Sequence, residues 1–472
     1  MLVLATGAIA VAATRGEGSR PAERPPLKVL RGSPAKVESA LQPLIRIEAP
    51  RVERIRGLSF RRLPGIRVMS EARLAALGRR LALRERRRAE ADPARLRRER
   101  RLGRAGIEFD KLAGLVPEQF GISSDASAGL DRVGGAYDFS HGRIIIVPEL
   151  IATHQQLEYT LAHELTHALE DQRFPLRLAT LGGPGERSVV RRAVIEGTAT
   201  LVQDLYRRRY LHDEVGVAQR VQGARSVIGA APGAYAVNAQ AVFEYADGTL
   251  FARSLLHRAG GWRLVDRALA SPPRRSTQIL HPAAWPGRVG EAAVRLGVAP
   301  LLGSRWRAAG GGAAGEEQAL VILLAGGIDS EASAAASGWS GGRFAVWRPR
   351  APSGCGSGCT AGDVGVVAFR WHRRSDADQF SLAVPAYMVA GLLAGRVDER
   401  TWKVGDGYAA LGSADRGSAL AFAPSPSLSR ELAGRAAAAA SAAWGQAAQP
   451  ARKRRNRPTR AYHVRKAGSR TW

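Results

Sequence analysis

The stretch "TLAHELTHALEDQ", Thr160–Gln172, constrains this chain more than any other feature. Its two histidines, His163 and His167, stand four residues apart, with Glu164 directly after the first. On an α-helix that spacing turns the second side chain by about 40° and moves it about 6 Å along the axis, so both imidazoles project the same way. One divalent ion can then accept a nitrogen from each at about 2.0–2.1 Å. Glu164, one position on, swings beside such an ion rather than onto it, where a base acting on water must stand. With nine histidines in 472 residues, chance supplies on the order of 0.01 such motifs. The competing reading is a helix whose histidines make ordinary hydrogen bonds, and only a third ligand separates the two.

Zinc in a catalytic site takes three protein ligands and keeps one position open. Glu196 in "AVIEGTATL" is the candidate for the third, because it falls on the next expected helix and follows Ala193, Val194 and Ile195, which point to burial. Gly197 comes directly after it. A glycine inside a helix costs about 1 kcal/mol relative to alanine, and close approach of two helices gives it a reason. The alternative for Glu196 is a surface position on an amphipathic helix.

Around the motif, "GGAYDFSHGRIIIVPE" predicts a hairpin that turns at Ser140-His141-Gly142, with Ile144–Val147 as a β-branched strand. The strand leads into the motif helix, capped by Thr153 with Gln156 as capping-box partner. A second helix is expected from about Ser188, a third helical pair over "FEYADGTLFARSLLHRAGGWRLVDRAL", and a Pro-bounded loop over "SPPRRSTQILHPAAWP". Upstream, "RIRGLSFRRLPGIRVMS" reads as two strand-like pieces broken at Pro64-Gly65. The following "SEARLAALGRRLALRERRRAEADPARLRRERRLGRAG" has helical spacing with an Arg-dense face, either solvated or able to grip an anionic polymer. After about residue 300, strands such as "GRFAVWRP" and "VGVVAFRW" alternate with helical stretches that include "SDADQFSLAVPAYMVAGLLAG".

The formal charge of +28 favours acidic partners, among them envelope polymers, anionic membrane surfaces and nucleic acid. Only six of the 70 basic residues are lysine, a skew that matches GC-rich codon usage, and no recognition module accompanies the charge. Specific nucleic-acid binding is therefore not expected. No uninterrupted run of about 18 apolar residues follows the N-terminus, which excludes a polytopic membrane protease. The opening "MLVLATGAIAVAATRG" reads as an export signal with an Ala10-Val11-Ala12 cleavage site, although a basic n-region is missing; the other reading is a disordered apolar N-terminus. Cys355 and Cys359, flanked by glycines, suit a small disulfide loop in an oxidising compartment; free thiols and a metal pair are the alternatives.

Taken with these segments, the chain resembles the gluzincins, the thermolysin-like zinc peptidases with His-Glu-x-x-His and a downstream helical glutamate. It is similar to an uncharacterised bacterial branch in which "AHELTHALEDQ" is followed by "EGTAT", "FEYADG", "GGW" and "PPRRSTQILHP". The likeness spans roughly residues 47 to 385, and only the zinc motif carries a specific chemical meaning. It implies His163, His167 and Glu196 as ligands of Zn²⁺ and Glu164 as the general base in hydrolysis of a peptide or protein substrate. Two departures stand out. Thr200 occupies the place where thermolysin-like enzymes often carry an Asp that orients a metal histidine, which leaves Asp171 or Asp204 for that role, and the interval from His167 to Glu196 is longer. Tyr245, His257 and His281 are available as oxyanion donors, His281 being favoured, and the Ile144–Val147 strand would serve as a substrate-binding edge.

These observations lead to an expected α+β fold: a mostly helical zincin-like catalytic lobe, a small sheet before the motif helix, and mixed α/β flanking lobes. The expected boundaries are an export signal over 1–14, a linker over 15–45, a basic α/β region over 46–105, the catalytic domain over 106–300, a smaller α+β lobe over 301–430 and a disordered Ala-rich, basic tail over 431–472. The alternative in another class is a non-catalytic envelope protein that binds anionic polymers and keeps a structural or vestigial zinc site.

Overall fold

The computed structural model describes residues 3–5, 27–78, 80, 92–120, 134–174, 176, 185–213, 235–287, 289–290, 292–327, 329–350 and 360–442. The fold is α+β, with two sheets held between helices.

Helix α1 spans Pro34–Arg56. Ser33 caps it by accepting the Lys36 N–H, Pro34 takes the first position, and Gly57 ends it at φ 69°. Val37, Leu41, Ile45, Ala49 and Val52 form one buried stripe. This corrects the linker expected over 15–45, whose last dozen residues are helix, and the first of the two strand pieces, which is the last three residues of α1 followed by irregular chain over 57–63. Pro43 and Pro50 lie inside the helix and disguise its periodicity in the sequence.

The small sheet has the order β1-β3-β4-β2, formed by Val3–Ala5 (β1), Gly65–Val68 (β2), Gly135–Asp138 (β3) and Arg143–Ile146 (β4). β3 and β4 make the expected hairpin, and β2 joins β4 in parallel. Ile144 and Ile146 face α1 and the motif helix, whereas Ile145 and Val147 face the helix at 71–78 through Leu74. Burial on both faces explains why this strand reads as a continuous β-branched run instead of an alternation.

Helix α2, Pro93–Leu112, crosses the boundary expected at 105/106 and packs on the large sheet through Ala105 and Phe109. The motif helix α3, His154–Asp171, is followed by α4, Glu186–Tyr210. Then come α5, Tyr235–Val242, a π-helical turn at Phe243–Asp247, α6, Gly248–Leu256, and α7, Trp262–Ala270. The segment expected as a Pro-bounded loop carries a short helix at Ser276–Leu280, held by Glu186, which accepts from the Ser276 N–H and hydroxyl at 2.8 Å.

The C-terminal lobe is a seven-stranded antiparallel sheet, β5-β6-β7-β11-β10-β9-β8. Its strands are Trp306–Ala313 (β5), Trp339–Pro349 (β6), Val364–Trp371 (β7), Gly395–Asp398 (β8), Thr401–Val404 (β9), Gly407–Ala414 (β10) and Gly417–Ala423 (β11). Helices α8, Glu316–Leu324, α9, Asp329–Ala336, and α10, Arg374–Ala386, cover one face; α11, Pro426–Ala442, covers the other. Ala433, Ala436, Ala437 and Ala440 of α11 are buried against Val366, Ala368, Ala419 and Ala421. The Ala-rich start of the expected tail is thus core helix, while residues 443–472 lie outside the described residues. So do Cys355 and Cys359, and all of the export-signal segment except Val3–Ala5. Among the described residues no helix is long and apolar enough to cross a membrane.

Candidate metal centre

Thr153 caps α3 as expected, accepting the Gln156 N–H at 3.0 Å; the Gln156 side chain reaches back to the Ala152 N–H at 2.8 Å, one residue earlier than a strict capping box. From Thr160 to Glu170 every residue of α3 is buried. Its ionisable side chains must therefore satisfy one another or a ligand, because water does not reach them.

Gly197 sets the position of the second helix. A methyl group there would lie inside the Gly248 backbone, and a methyl on Gly248 would collide with the Ala193 carbonyl, so α4 and α6 meet main chain to main chain. The glycine after Glu196 does mark a close approach of helices, but the partner is α6 and not the motif helix as expected. This contact seats α4 with Glu196 facing α3, next to the π-helical turn.

His163 Nε2 and His167 Nε2 lie 3.1 Å apart, and Glu196 Oε2 is 3.4 Å from the first and 3.3 Å from the second. Four tetrahedral ligands at the bond lengths of zinc, about 2.0–2.1 Å, stand about 3.3 Å from one another. The three donor atoms thus have the spacing of one face of a tetrahedron around a zinc-sized ion. They are the one group among the described residues with donors close enough to hold a metal ion. Both oxygens of the buried Glu164 carboxylate lack a hydrogen-bond partner, as does Glu196 Oε1. A donor set of two imidazoles and a carboxylate suits zinc, and the Glu164 carboxylate stands outside that set.

The charges agree. Burial alone would raise Glu196, but the charge on His167 and hydrogen bonds from both imidazoles hold its carboxyl down to about 2. Burial disfavours the charged form of His167, yet the Glu196 carboxylate beside it pushes the imidazole up to about 9. His163 is lowered by burial, against its hydrogen bond to Glu196. Glu164 is pushed up to about 8 by burial. Without an ion, the cluster neutralises its carboxylate with a proton; a divalent cation in the same place supplies that positive charge instead.

Three neighbours of the cluster carry no signal that the motif alone reveals. Gly135 of β3 lies so close to α3 that a methyl there would meet Thr160 and Glu164, which fixes the sheet against the Glu164 side chain. Gln203, two turns after Glu196, hydrogen-bonds His163. Behind His167, Glu170 accepts from Arg56 at 2.7 Å, and Arg56 also bridges to Asp266 at 2.5 Å while lying over the Trp262 ring. Arg56 thus ties α1, α3 and α7 together beneath the site. The one trace Gln203 leaves in the sequence is its seven-residue step from Glu196, which puts both on one helix face.

The other expected residues divide. Tyr245, in the π-helical turn, stacks on His163 at 6.3 Å between ring centroids and so belongs to the site. His281 is drawn to Glu316, with Nε2 2.6 Å from its Oε1. His257 ends α6 in an exposed position. Asp171 accepts from the Tyr137 hydroxyl at 3.3 Å. Asp204 is buried on α4. The strand expected as a substrate-binding edge is corrected: β4 lies in the interior of its sheet between β3 and β2, and β1 pairs with the outer side of β3, Ala5 opposite Gly135. His163, Glu164, His167 and Glu196 are all buried.

A family described as a domain of unknown function (DUF8575) matches residues 285–433. That span holds the seven-stranded sheet and the first half of α11, and it begins well after the residues of the metal cluster in the sequence. No curated protein and no solved structure matches the chain.

Proposed function

We propose that this protein is a zinc-dependent peptidase in which His163, His167 and Glu196 bind the ion and Glu164 acts as the general base. The observation that carries this reading is the 3.1–3.4 Å triangle of donor atoms with an unpartnered, buried carboxylate beside it. Zinc held there would supply Lewis acidity, acidifying water and polarising a carbonyl. Glu164 accepts a proton from water as the water oxygen bonds to the peptide carbonyl carbon, and returns it to the amine nitrogen as the C–N bond breaks. Burial raises the Glu164 carboxyl to about 8, which favours its holding a proton between the two transfers. Gln203 holds the His163 ring, and Tyr245 stacks on it, which limits the imidazole to one orientation.

The burial of all four side chains favours a second reading, in which the ion is structural and the protein binds anionic envelope polymers without catalysis. One variant separates the two. Glu164→Gln keeps the three ligands, so it should retain zinc while hydrolysis of an unfolded protein substrate falls on the order of 10²–10⁴-fold. Zinc retention with no hydrolysis by either protein would leave the structural reading standing, and equal hydrolysis by both would exclude Glu164 as the base.

A further inference from the structure

Among the described residues, the exposed large apolar side chains gather on α10, on the π-helical turn that continues it, Tyr387–Gly391, and just beyond that turn. From Gln379 to Gly395 the chain carries no charged residue. Phe380, Val384, Tyr387 and Met388 account for the inner side, where they are buried in the core of the large sheet. The outer side is apolar as well: Leu382 is 80% exposed, Val389 57% and Leu393 87%. Leu382 and Val389 both lie on the outer side of the helical segment, and Leu393 follows two residues past its end. Single exposed leucines are ordinary, but a stripe of them with no interleaved charge marks an interaction surface. Leu393 also sits at φ 50°, a left-handed conformation uncommon for a bulky side chain, so the backbone is strained where it presents the most exposed leucine.

Charge at the two ends of the stripe identifies the occupant. Asp378 lies one turn before Leu382 on the same face, and Arg396 follows Leu393 by three residues. Asp378 has only a loose, exposed contact with Arg374 at 3.8 Å, and Arg396 bonds the carbonyls of Asp398 and Glu399. A second copy packed antiparallel would set Leu382 against the partner copy's counterpart of Val389 and bring opposite charges together at both ends. A parallel copy would set Asp378 against Asp378 and Arg396 against Arg396. The neighbouring edge strand β8 is four residues long, charged, and irregular in register between Arg396 and Asp398, all of which oppose strand-to-strand association. We propose that the outer face of α10 and its π-helical continuation is the interface of a two-fold homodimer, with the two helices antiparallel and Asp378 of each copy facing Arg396 of the other.

Sedimentation equilibrium of the full chain at micromolar concentrations tests this. The wild type should be a dimer, and Leu382→Asp with Leu393→Asp should give a monomer that keeps the wild-type circular dichroism spectrum and loses only the concentration-dependent part of its melting temperature. Asp378→Arg and Arg396→Asp should each weaken the dimer by about tenfold, and the two together should recover most of the loss. A monomeric wild type, a dimer that survives both leucine changes, or a double charge swap no tighter than the single ones would overturn the proposal. So would a wild type that stays monomeric yet sediments with anionic lipid vesicles, which would assign the face to a membrane.

Discussion

Where α4 meets α6, Gly197 lies against Gly248; where α11 meets the large sheet, Gly412 and Gly417 lie against the backbone of Ala433 and Ala437. Both contacts bring main chain against main chain through the loss of a side chain, and they surround opposite contents. Around α11 the space is filled mainly by alanine, valine and leucine, and the buried Arg370 beside it donates to the Ala440 carbonyl at 3.1 Å. Beside Gly197 the same closeness seats Glu196 against two histidines and leaves Glu164 buried without a partner. Buried charge of that kind is costly unless something of opposite sign compensates it. Close packing serves stability in the C-terminal lobe, whereas in the N-terminal lobe it serves to position charge.

The largest effect expected from breaking this comparison comes from Gly197→Ala. The added methyl has only backbone to displace, so α4 must move away from α6, carrying Glu196 with it. Both melting temperature and zinc stoichiometry should fall together, as read by calorimetry and metal analysis. Gly417→Ala should cost a similar roughly 1–3 kcal/mol of stability through overpacking while leaving zinc content untouched. If the two variants lost metal equally, the two contacts would not differ in purpose.

A smaller effect sharpens the same contrast. Gln203→Leu removes a hydrogen bond to His163 without touching a ligand, and should weaken zinc about 10–100-fold in a competition titration, with little change in melting temperature. The smallest concerns Glu48 on α1, buried with neither carboxylate oxygen partnered. Burial, with the charge of Glu158 adding to it against Arg51, raises its carboxyl well above the ordinary value. A group raised on folding contributes stability that is present at acid pH and lost as pH climbs through the raised value. Glu48→Gln should therefore raise the melting temperature by a few degrees at about pH 8 and leave it unchanged at about pH 4.

Much of the site was legible in the sequence because its residues lie on two helices, each of regular period. The four-residue step from His163 to His167 requires only a helix, and the glycine after Glu196 required only that something come close. Gln203 escaped notice because an amide has no motif of its own, and Gly135 because its role depends on a sheet packing that no local pattern encodes. The fold was legible in the same uneven way. The Ile144–Val147 run announced a strand, but its place inside the sheet depends on the parallel partner β2, some eighty residues upstream. Helix α1 was hidden by its two internal prolines, and α11 by an alanine composition that suits a disordered tail as well as a helix packed on small residues. His281, favoured as an oxyanion donor from its sequence surroundings, is drawn off by Glu316, a partner thirty-five residues away.

The central claim is that two helices close a three-ligand cage around one zinc ion, and metal analysis of purified wild type beside Glu196→Gln tests it most directly. The expected result is close to one zinc per chain in the wild type and a sharp loss in the variant. A wild type without bound metal, or a variant that binds zinc as fully as the wild type, would contradict it.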